Sequence, residues 1–223
     1  MRKGLDKYMN NINKNEDNFK IILNHNDHHD CSCNHDHHDH HDCDCDHDHN
    51  DCDCGHDHEA EAQSHDGHVH SGKYEGERKD GKKHGYGIFT YSNGTKYEGF
   101  WKEDMMDGEG TLTWIDGEKY IGQWKNDLKD GNGIYTWPDG ESYIGSWKED
   151  SKCGNGIYTW DNGDVYCGNW ANDVRDGYGI LTYEDGAKYM GSWKDDLRHG
   201  KGIFINEKGD SFNVEFNNDE EVK

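Results

Sequence analysis

The residue types best suited to chemistry lie between positions 25 and 70. Six of the eight cysteines occur there as three Cys-x-Cys pairs, interspersed with fifteen of the seventeen histidines and with fourteen carboxylates. Thiolate and imidazole are ligands that Zn²⁺, Cu⁺ and Ni²⁺ prefer. The candidate metal ligands are Cys31, Cys33, Cys43, Cys45, Cys52, Cys54, His28, His29, His37, His38, His40, His41, His47 and His49.

This tract has a low-complexity composition, so no single set of ligands stands out from the others. The Cys-x-Cys spacing resembles that of metallothioneins and differs from the Cys-x₂-Cys of a zinc finger. Two interpretations stay open: a metal-binding segment that takes up Zn, Cu or Ni, or an insertion without a metal role. Because few apolar residues are present, we expect residues 1–72, Asn-rich and then His/Asp/Cys-rich, to form a disordered tail.

The net charge of the chain argues against some classes of binding partner. Lys and Arg total 24 against 47 Asp and Glu, a formal net charge of −23. Binding to nucleic acid relies on clustered cations, so the sequence predicts no nucleic-acid partner. Attraction to anionic membranes relies on cations as well, so any association with a membrane is expected to be indirect. With no secretory signal in evidence, we expect a cytoplasmic protein, at the cytoskeleton or the membrane periphery.

A 23-residue repeat occupies residues 73–223 and is the strongest pattern in the sequence. A tyrosine opens each unit, a glycine follows two positions later, and a tryptophan follows four positions later from the second unit on. Each unit also contains a Gly-x-Gly pair and a closing glycine. Six units begin at Tyr74, Tyr97, Tyr120, Tyr143, Tyr166 and Tyr189, and a partial seventh begins at Phe212.

The repeat alternates large and small residues with period two, which predicts strands. Asn-Gly and Asp-Gly pairs such as Asp139-Gly140 favour two-residue type I′ hairpin turns. The second connection of each unit, for example residues 125–130, is predicted to be a longer polar loop. A lone hairpin is unstable in water, so the units must stack. The expected fold is therefore all-β: an elongated, twisted antiparallel sheet that grows by two strands per repeat.

The pattern Tyr-x-Gly-x-Trp-x₆-Gly-x-Gly resembles the MORN repeat (membrane occupation and recognition nexus). Tyr97-Glu98-Gly99-Phe100-Trp101 matches it closely, whereas the first unit has Arg78 in place of the tryptophan. The resemblance implies a non-enzymatic scaffold or adaptor that binds protein partners at cytoskeleton–membrane structures. Two alternatives stay open: a metal-buffering protein acting through its tail, and a peripheral phospholipid-binding adaptor.

The aromatic columns are the candidate recognition surface of the repeats. A single-layer sheet cannot cover both of its faces, so some rings should stay exposed for a protein partner or for a homodimer. The tryptophans assigned to this face are Trp124, Trp147, Trp170, Trp193, Trp137 and Trp160. His84 and His199 have no nucleophile nearby in sequence and are assigned to polar loops. No catalytic residue and no required cofactor is therefore predicted.

Overall fold

The computed structural model describes residues 71–223, and their regular secondary structure consists of fourteen β-strands. The candidate metal ligands and almost all of the predicted tail lie outside the described residues. The strands are β1 (Gly72–Lys79), β2 (Lys82–Tyr91), β3 (Lys96–Lys102), β4 (Met105–Thr113), β5 (Lys119–Lys125), β6 (Leu128–Thr136), β7 (Ser142–Lys148), β8 (Ser151–Thr159), β9 (Val165–Ala171), β10 (Val174–Thr182), β11 (Lys188–Lys194), β12 (Leu197–Ile205), β13 (Ser211–Asn217) and β14 (Glu220–Glu221).

All fourteen strands form one open antiparallel sheet in which each strand pairs with its neighbours in the chain, from β1 to β14. This arrangement confirms the predicted all-β meander that grows by two strands per repeat. One element was not expected: the two-residue β14 pairs with the end of β13, Phe216 opposite Glu221. Within residues 71–223 no helix is long and apolar enough to cross a membrane.

The two kinds of turn are the reverse of the prediction. The connection after β5 is the tight one: Asn126 and Asp127 alone link the strands, with φ of 49° and 69°. The Asp-Gly connections are longer, as in residues 137–141, where only Gly140 has a positive φ. Gly140 N–H donates to the Trp137 carbonyl at 3.2 Å, and Trp137 N–H donates to the Glu141 carbonyl at 3.0 Å. Asn and Asp tolerate the left-handed region well enough to form the tight turn without glycine.

A row of glycines crosses the sheet because each repeat tyrosine lies flat on two of them. Gly99 and Gly110 face each other on β3 and β4, and the Tyr97 ring covers both. A Cβ atom on Gly99 would lie 2.6 Å from Tyr97 Oη, and one on Gly110 would lie 2.5 Å from Tyr97 Cζ. Tyr97 is fully buried as a result. The glycine columns thus form the part of the sheet surface on which the buried tyrosine rings of the core lie.

The repeat tyrosines and tryptophans interlock edge to face along one side of the sheet. Tyr97 contacts Trp101 of its own unit at 4.9 Å between centroids and Trp124 of the next unit at 5.6 Å, with interplanar angles of 82° and 89°. The strand bulges between Gly99 and Trp101, and Tyr97 Oη donates a hydrogen bond to the carbonyl of Phe100 at 3.0 Å. The ring of Tyr97 therefore fills the core, and its hydroxyl satisfies a backbone carbonyl at the bulge.

Successive repeats are also joined through the tight turns. Asp150 N–H donates to the Lys129 carbonyl at 3.0 Å, and Lys129 N–H donates to Asp150 Oδ1 at 2.9 Å. The aspartate side chain thus links its own turn to a strand 21 residues earlier. The same reciprocal pair joins Lys83 to Asp104, Met106 to Asp127, Lys152 to Asp173, Arg175 to Asp196, and Arg198 to Asp219.

Candidate binding surface

Five aromatic rings form a continuous row across the central repeats, which we call the ladder. Its members, in order, are Trp114, Tyr135, Trp137, Tyr158 and Trp160. Successive centroids are 5.4, 4.4, 5.5 and 4.8 Å apart, with interplanar angles between 38° and 47°. The rings are tilted against one another, unlike the perpendicular rings of the core. The three tryptophans of the ladder are half-buried, so each keeps part of its ring in solvent.

The ladder lies where it does because of the strand alternation. On β6, Gly133 and Tyr135 point to the core face, and Trp137 follows with the same parity just beyond the strand. Its neighbours in the turn, Pro138 and Asp139, are exposed and leave one side of the indole uncovered. In the preceding turn Ile115 is 70% exposed. The ladder thus borders the edge of the sheet that carries the longer turns.

Two carboxylates hold the tyrosines of the ladder. Tyr135 Oη donates a hydrogen bond to Glu118, and Tyr158 Oη donates one to Glu141. Burial, and then the adjoining carboxylate, raises the pKa of both tyrosines above the ordinary value of 10.0. Both hydroxyls therefore stay protonated near neutral pH and act as donors to the glutamates. These hydrogen bonds fix the two glutamates at the rim of the ladder.

Cations cover the opposite border of the ladder. Lys129 Nζ lies 5.2 Å from the Tyr135 centroid and 4.7 Å from that of Trp147, and it pairs with Asp150 at 3.6 Å. Lys152 Nζ lies 5.2 Å from Tyr158 and 4.8 Å from Trp170. Burial lowers the pKa of Lys152, while the charge of Asp173 opposes that shift. These cation–π contacts help to hold the rings of Tyr135 and Tyr158 in position.

The six tryptophans that the sequence assigned to one partner-binding face are divided by the structure. Trp124, Trp147, Trp170 and Trp193 are 5% to 6% exposed and belong to the core, because each is enclosed between the tyrosines of two repeats. In the folded protein these four tryptophans expose almost no surface that a partner could contact. Trp137 and Trp160 lie on the ladder. Their role in binding a partner stays a prediction.

Sequence reasoning missed one tryptophan of the ladder and left both of its tyrosines out of the assigned face. Trp114 is 23 residues before Trp137, and Trp137 is 23 before Trp160, so the repeat period already placed them in one column. Tyr135 and Tyr158 occupy the equivalent position of two successive units. Reading every aromatic by column would have found the whole set. The strand alternation alone could not separate buried columns from half-buried ones.

The other face of the sheet holds aliphatic side chains together with the aromatic pair Tyr86 and Phe100. Ile134, Ile157, Cys167 and Ile180 are buried there. Burial raises the pKa of the Cys167 thiol to about 12, so it is a poor nucleophile near neutral pH. His84 and His199 lie within β2 and β12, not in the loops expected from the sequence.

Residues 71–223 contain no group of three or more His, Cys, Asp or Glu side chains arranged to hold a metal ion. The predicted metal ligands lie outside this part of the chain. Metal binding by residues 25–70 stays a prediction.

A family model of the MORN repeat matches six consecutive units, residues 74–96, 97–119, 120–142, 143–165, 166–188 and 189–211. The chain belongs to the MORN repeat family. The units coincide with the hairpin pairs of the sheet from β1 to β12, which confirms the resemblance inferred from the tyrosine, glycine and tryptophan columns.

Among curated proteins no match was found. Among solved structures, the chain is similar to the TCP domain of Drosophila melanogaster SAS-4 in complex with a proline-rich motif of Ana2. Identity is 15%, with 58% of this chain and 70% of that chain covered and a TM-score of 0.40. It is also similar to the TCP10 domain of Danio rerio CPAP in complex with a STIL peptide. There identity is 14%, coverage is 59% and 68%, and the TM-score is 0.23. Likenesses at these TM-scores support no conclusion about this chain.

Proposed function

We propose that this MORN repeat protein is a non-enzymatic scaffold that binds protein partners through the ladder. The observation that carries the proposal is the row of five aromatic rings, half-buried at its tryptophans and lined on one side by fixed carboxylates. Half-buried aromatics held rigidly by their neighbours are typical of sites that dominate protein–protein binding. Membership of the MORN family is consistent with this role.

A rigid array supports binding better than catalysis. The ladder tyrosines are held as donors to Glu118 and Glu141, and the nearby lysines are engaged with rings. The groups beside the ladder therefore position one another and present a fixed shape. Such a surface gains affinity because little side-chain entropy is lost when a partner docks.

Proximity labelling with the full chain in cells tests the proposal. A variant with Trp137→Ala and Trp160→Ala should lose a defined set of neighbours. The matched control is Phe100→Ala, which truncates an aromatic that is 47% exposed on the opposite face. Equal thermal stability of the control and the double variant would show that lost neighbours reflect the surface. If the double variant labels the same set as the unchanged chain, the ladder is not the binding surface.

Three finer expectations are part of the proposal. We propose that the scaffold acts at cytoskeleton–membrane structures in the cytoplasm, that it forms homodimers, and that residues 25–70 take up Zn, Cu or Ni. The first follows from the family, the second from the open edges of the sheet, and the third from the Cys-x-Cys and histidine content. Each is tested separately: by imaging, by analytical ultracentrifugation, and by metal titration of the full chain.

A further inference from the structure

We propose that the ladder binds a proline-rich, basic segment of a partner in the polyproline II conformation, laid across the strands. This inference rests on the proposed function and specifies its ligand. The three features that support it are the spacing of the ladder tryptophans, the charge of the adjoining turns, and the near absence of proline from the chain itself.

The spacing of the array matches that of a polyproline II helix. Equivalent residues in successive repeats are two strands apart, which is about 9.6 Å across an antiparallel sheet. A polyproline II helix has three residues per turn and repeats every 9.3 Å or about that distance. Trp114, Trp137 and Trp160 occupy equivalent positions at the ends of β4, β6 and β8. Side chains three residues apart in the ligand would therefore meet the same ring environment in each repeat.

The arrangement of the aromatic rings is a second feature that favours a proline-rich ligand. The three indoles are half-buried, so each keeps part of its ring in solvent, and Tyr135 and Tyr158 pack between them. Rows of exposed aromatic rings accept the preformed polyproline II helix, which loses little entropy on binding. A β-strand ligand is disfavoured, because its side chains would repeat at about 6.8 Å and lose register with the ladder.

Charge favours a basic ligand. The three turns beside the ladder, residues 115–118, 138–141 and 161–164, each carry two carboxylates and no Lys or Arg. Among the other longer turns, residues 92–95 carry no carboxylate, whereas residues 184–187, beyond the ladder, carry Glu184 and Asp185. The acidic border therefore covers the whole ladder and extends one turn past it. Lys or Arg side chains projecting from the ligand would pair with these carboxylates at the rim.

The occupant cannot come from this chain if it is proline-rich. Pro138 is the only proline among the 223 residues, so the tail and a second copy both lack the required sequence. Pro138 itself lies in the turn beside Trp137 and is exposed. The ligand is therefore a different protein.

Synthetic peptides of about ten residues, long enough to span three indoles, test the proposal. The probe peptide has proline at every third position and two arginines. The matched control has the same composition with proline at every fourth position, a period of about 12 Å. A second control replaces arginine by glutamate. Binding to the full chain is measured by tryptophan fluorescence and calorimetry.

The three-residue period should bind at least about tenfold more tightly than the four-residue period. Trp137→Ala should weaken binding about thirtyfold, whereas Phe100→Ala should leave it unchanged. Asp116 and Asp139 accept backbone N–H groups within their turns, and asparagine keeps these acceptors. Replacing both, together with Asp161, by Asn removes three of the six turn charges. That variant should lose affinity by about tenfold and lose about half of its salt dependence.

Equal affinity for the two proline periods, stronger binding of the glutamate peptide, or no binding at all would each overturn the inference. Any of these results leaves the proposed function intact if cellular labelling still depends on Trp137 and Trp160. Loss of that dependence in cells would instead count against the scaffold role of the ladder. The two experiments thus fail independently.

Discussion

At the residue scale, this protein requires glycine for two separate reasons. Gly110 has an ordinary backbone conformation but no room for a side chain, because the Tyr97 ring lies on it. Gly140 has open space around its Cα but a φ of 103°. The first position is fixed by packing and the second by backbone geometry.

We predict different outcomes for the two glycines. Gly110→Ala should lower the free energy of unfolding by about 3 kcal/mol, because the methyl group must displace a buried ring. Gly140→Ala should cost only about 1–2 kcal/mol, the strain of a left-handed residue. Chemical denaturation of both variants measures the difference. Gly140→Asn is the control and should cost less than Gly140→Ala, since asparagine tolerates a positive φ; a Gly110→Ala protein as stable as the original would contradict the packing argument.

At the scale of the element, the tight turn does more than reverse the chain. Asp150 combines a φ of 71° with an acceptor for the backbone of Lys129 in the preceding repeat. We predict that Asp150→Ala lowers the free energy of unfolding by about 2 kcal/mol, from the lost hydrogen bond and the strained backbone.

Two control variants separate these causes. Asp150→Asn keeps an acceptor and the tolerance for positive φ, so most of the stability should be retained. Asn126→Ala, at the first position of the equivalent turn with a φ of 49°, loses backbone tolerance while the link made by Asp127 stays. Thermal unfolding ranks the three. If Asn126→Ala is as harmful as Asp150→Ala, the contact between repeats contributes nothing measurable.

At the scale of the whole molecule, each strand pairs only with its neighbours in the chain, and the register recurs in every unit. Removing residues 120–142, one whole unit, joins two equivalent positions. The shortened chain should keep an all-β circular dichroism spectrum with reduced stability. Removing eleven residues, half a unit, should abolish folding, because it joins non-equivalent positions and shifts the tyrosine, glycine and tryptophan columns on the two sides of the junction out of register. Folding of the half-unit deletion would refute the argument from register.

The buried tyrosines make the whole array sensitive to alkali. Burial raises the pKa of seven of them from the ordinary 10.0: Tyr91, Tyr97, Tyr120, Tyr135, Tyr158, Tyr166 and Tyr189. For Tyr91 and Tyr189 the raised pKa is about 12. Above pH 10 the unfolded chain releases these protons while the folded chain retains them. Their stabilising contribution is therefore complete below pH 10 and is lost as the pH rises towards 12.

Burial lowers the pKa of Lys83 and Lys152. These two lysines change the stability in the opposite direction as the pH rises, but the seven tyrosines outnumber them. We predict cooperative unfolding in alkali, with tyrosinate absorbance and far-UV circular dichroism changing together. Ionisation of all tyrosines near pH 10 without loss of β-structure would contradict the burial of the rings.

The sequence alone determined the repeat, the strands and their order, because a 23-residue period with two-residue alternation admits few other folds. It also determined which rings could share a column, because Trp114, Trp137 and Trp160 are each 23 residues apart. Tertiary structure decided which columns are buried. Trp147 is enclosed because Tyr120 and Tyr143 of two different units contact it, and a ring contact between units cannot be read from one unit.

The turn types were also decided by tertiary structure. Asp-Gly pairs favour a tight hairpin locally, yet Asn126-Asp127 forms it, because Asp127 Oδ1 can then accept the N–H of Met106 in the unit before. A contact 21 residues away outweighed a local preference. The ladder exists for the same reason: the longer Asp-Gly turns hold their tryptophans beside the tyrosines of the next unit and leave one side of each indole in solvent.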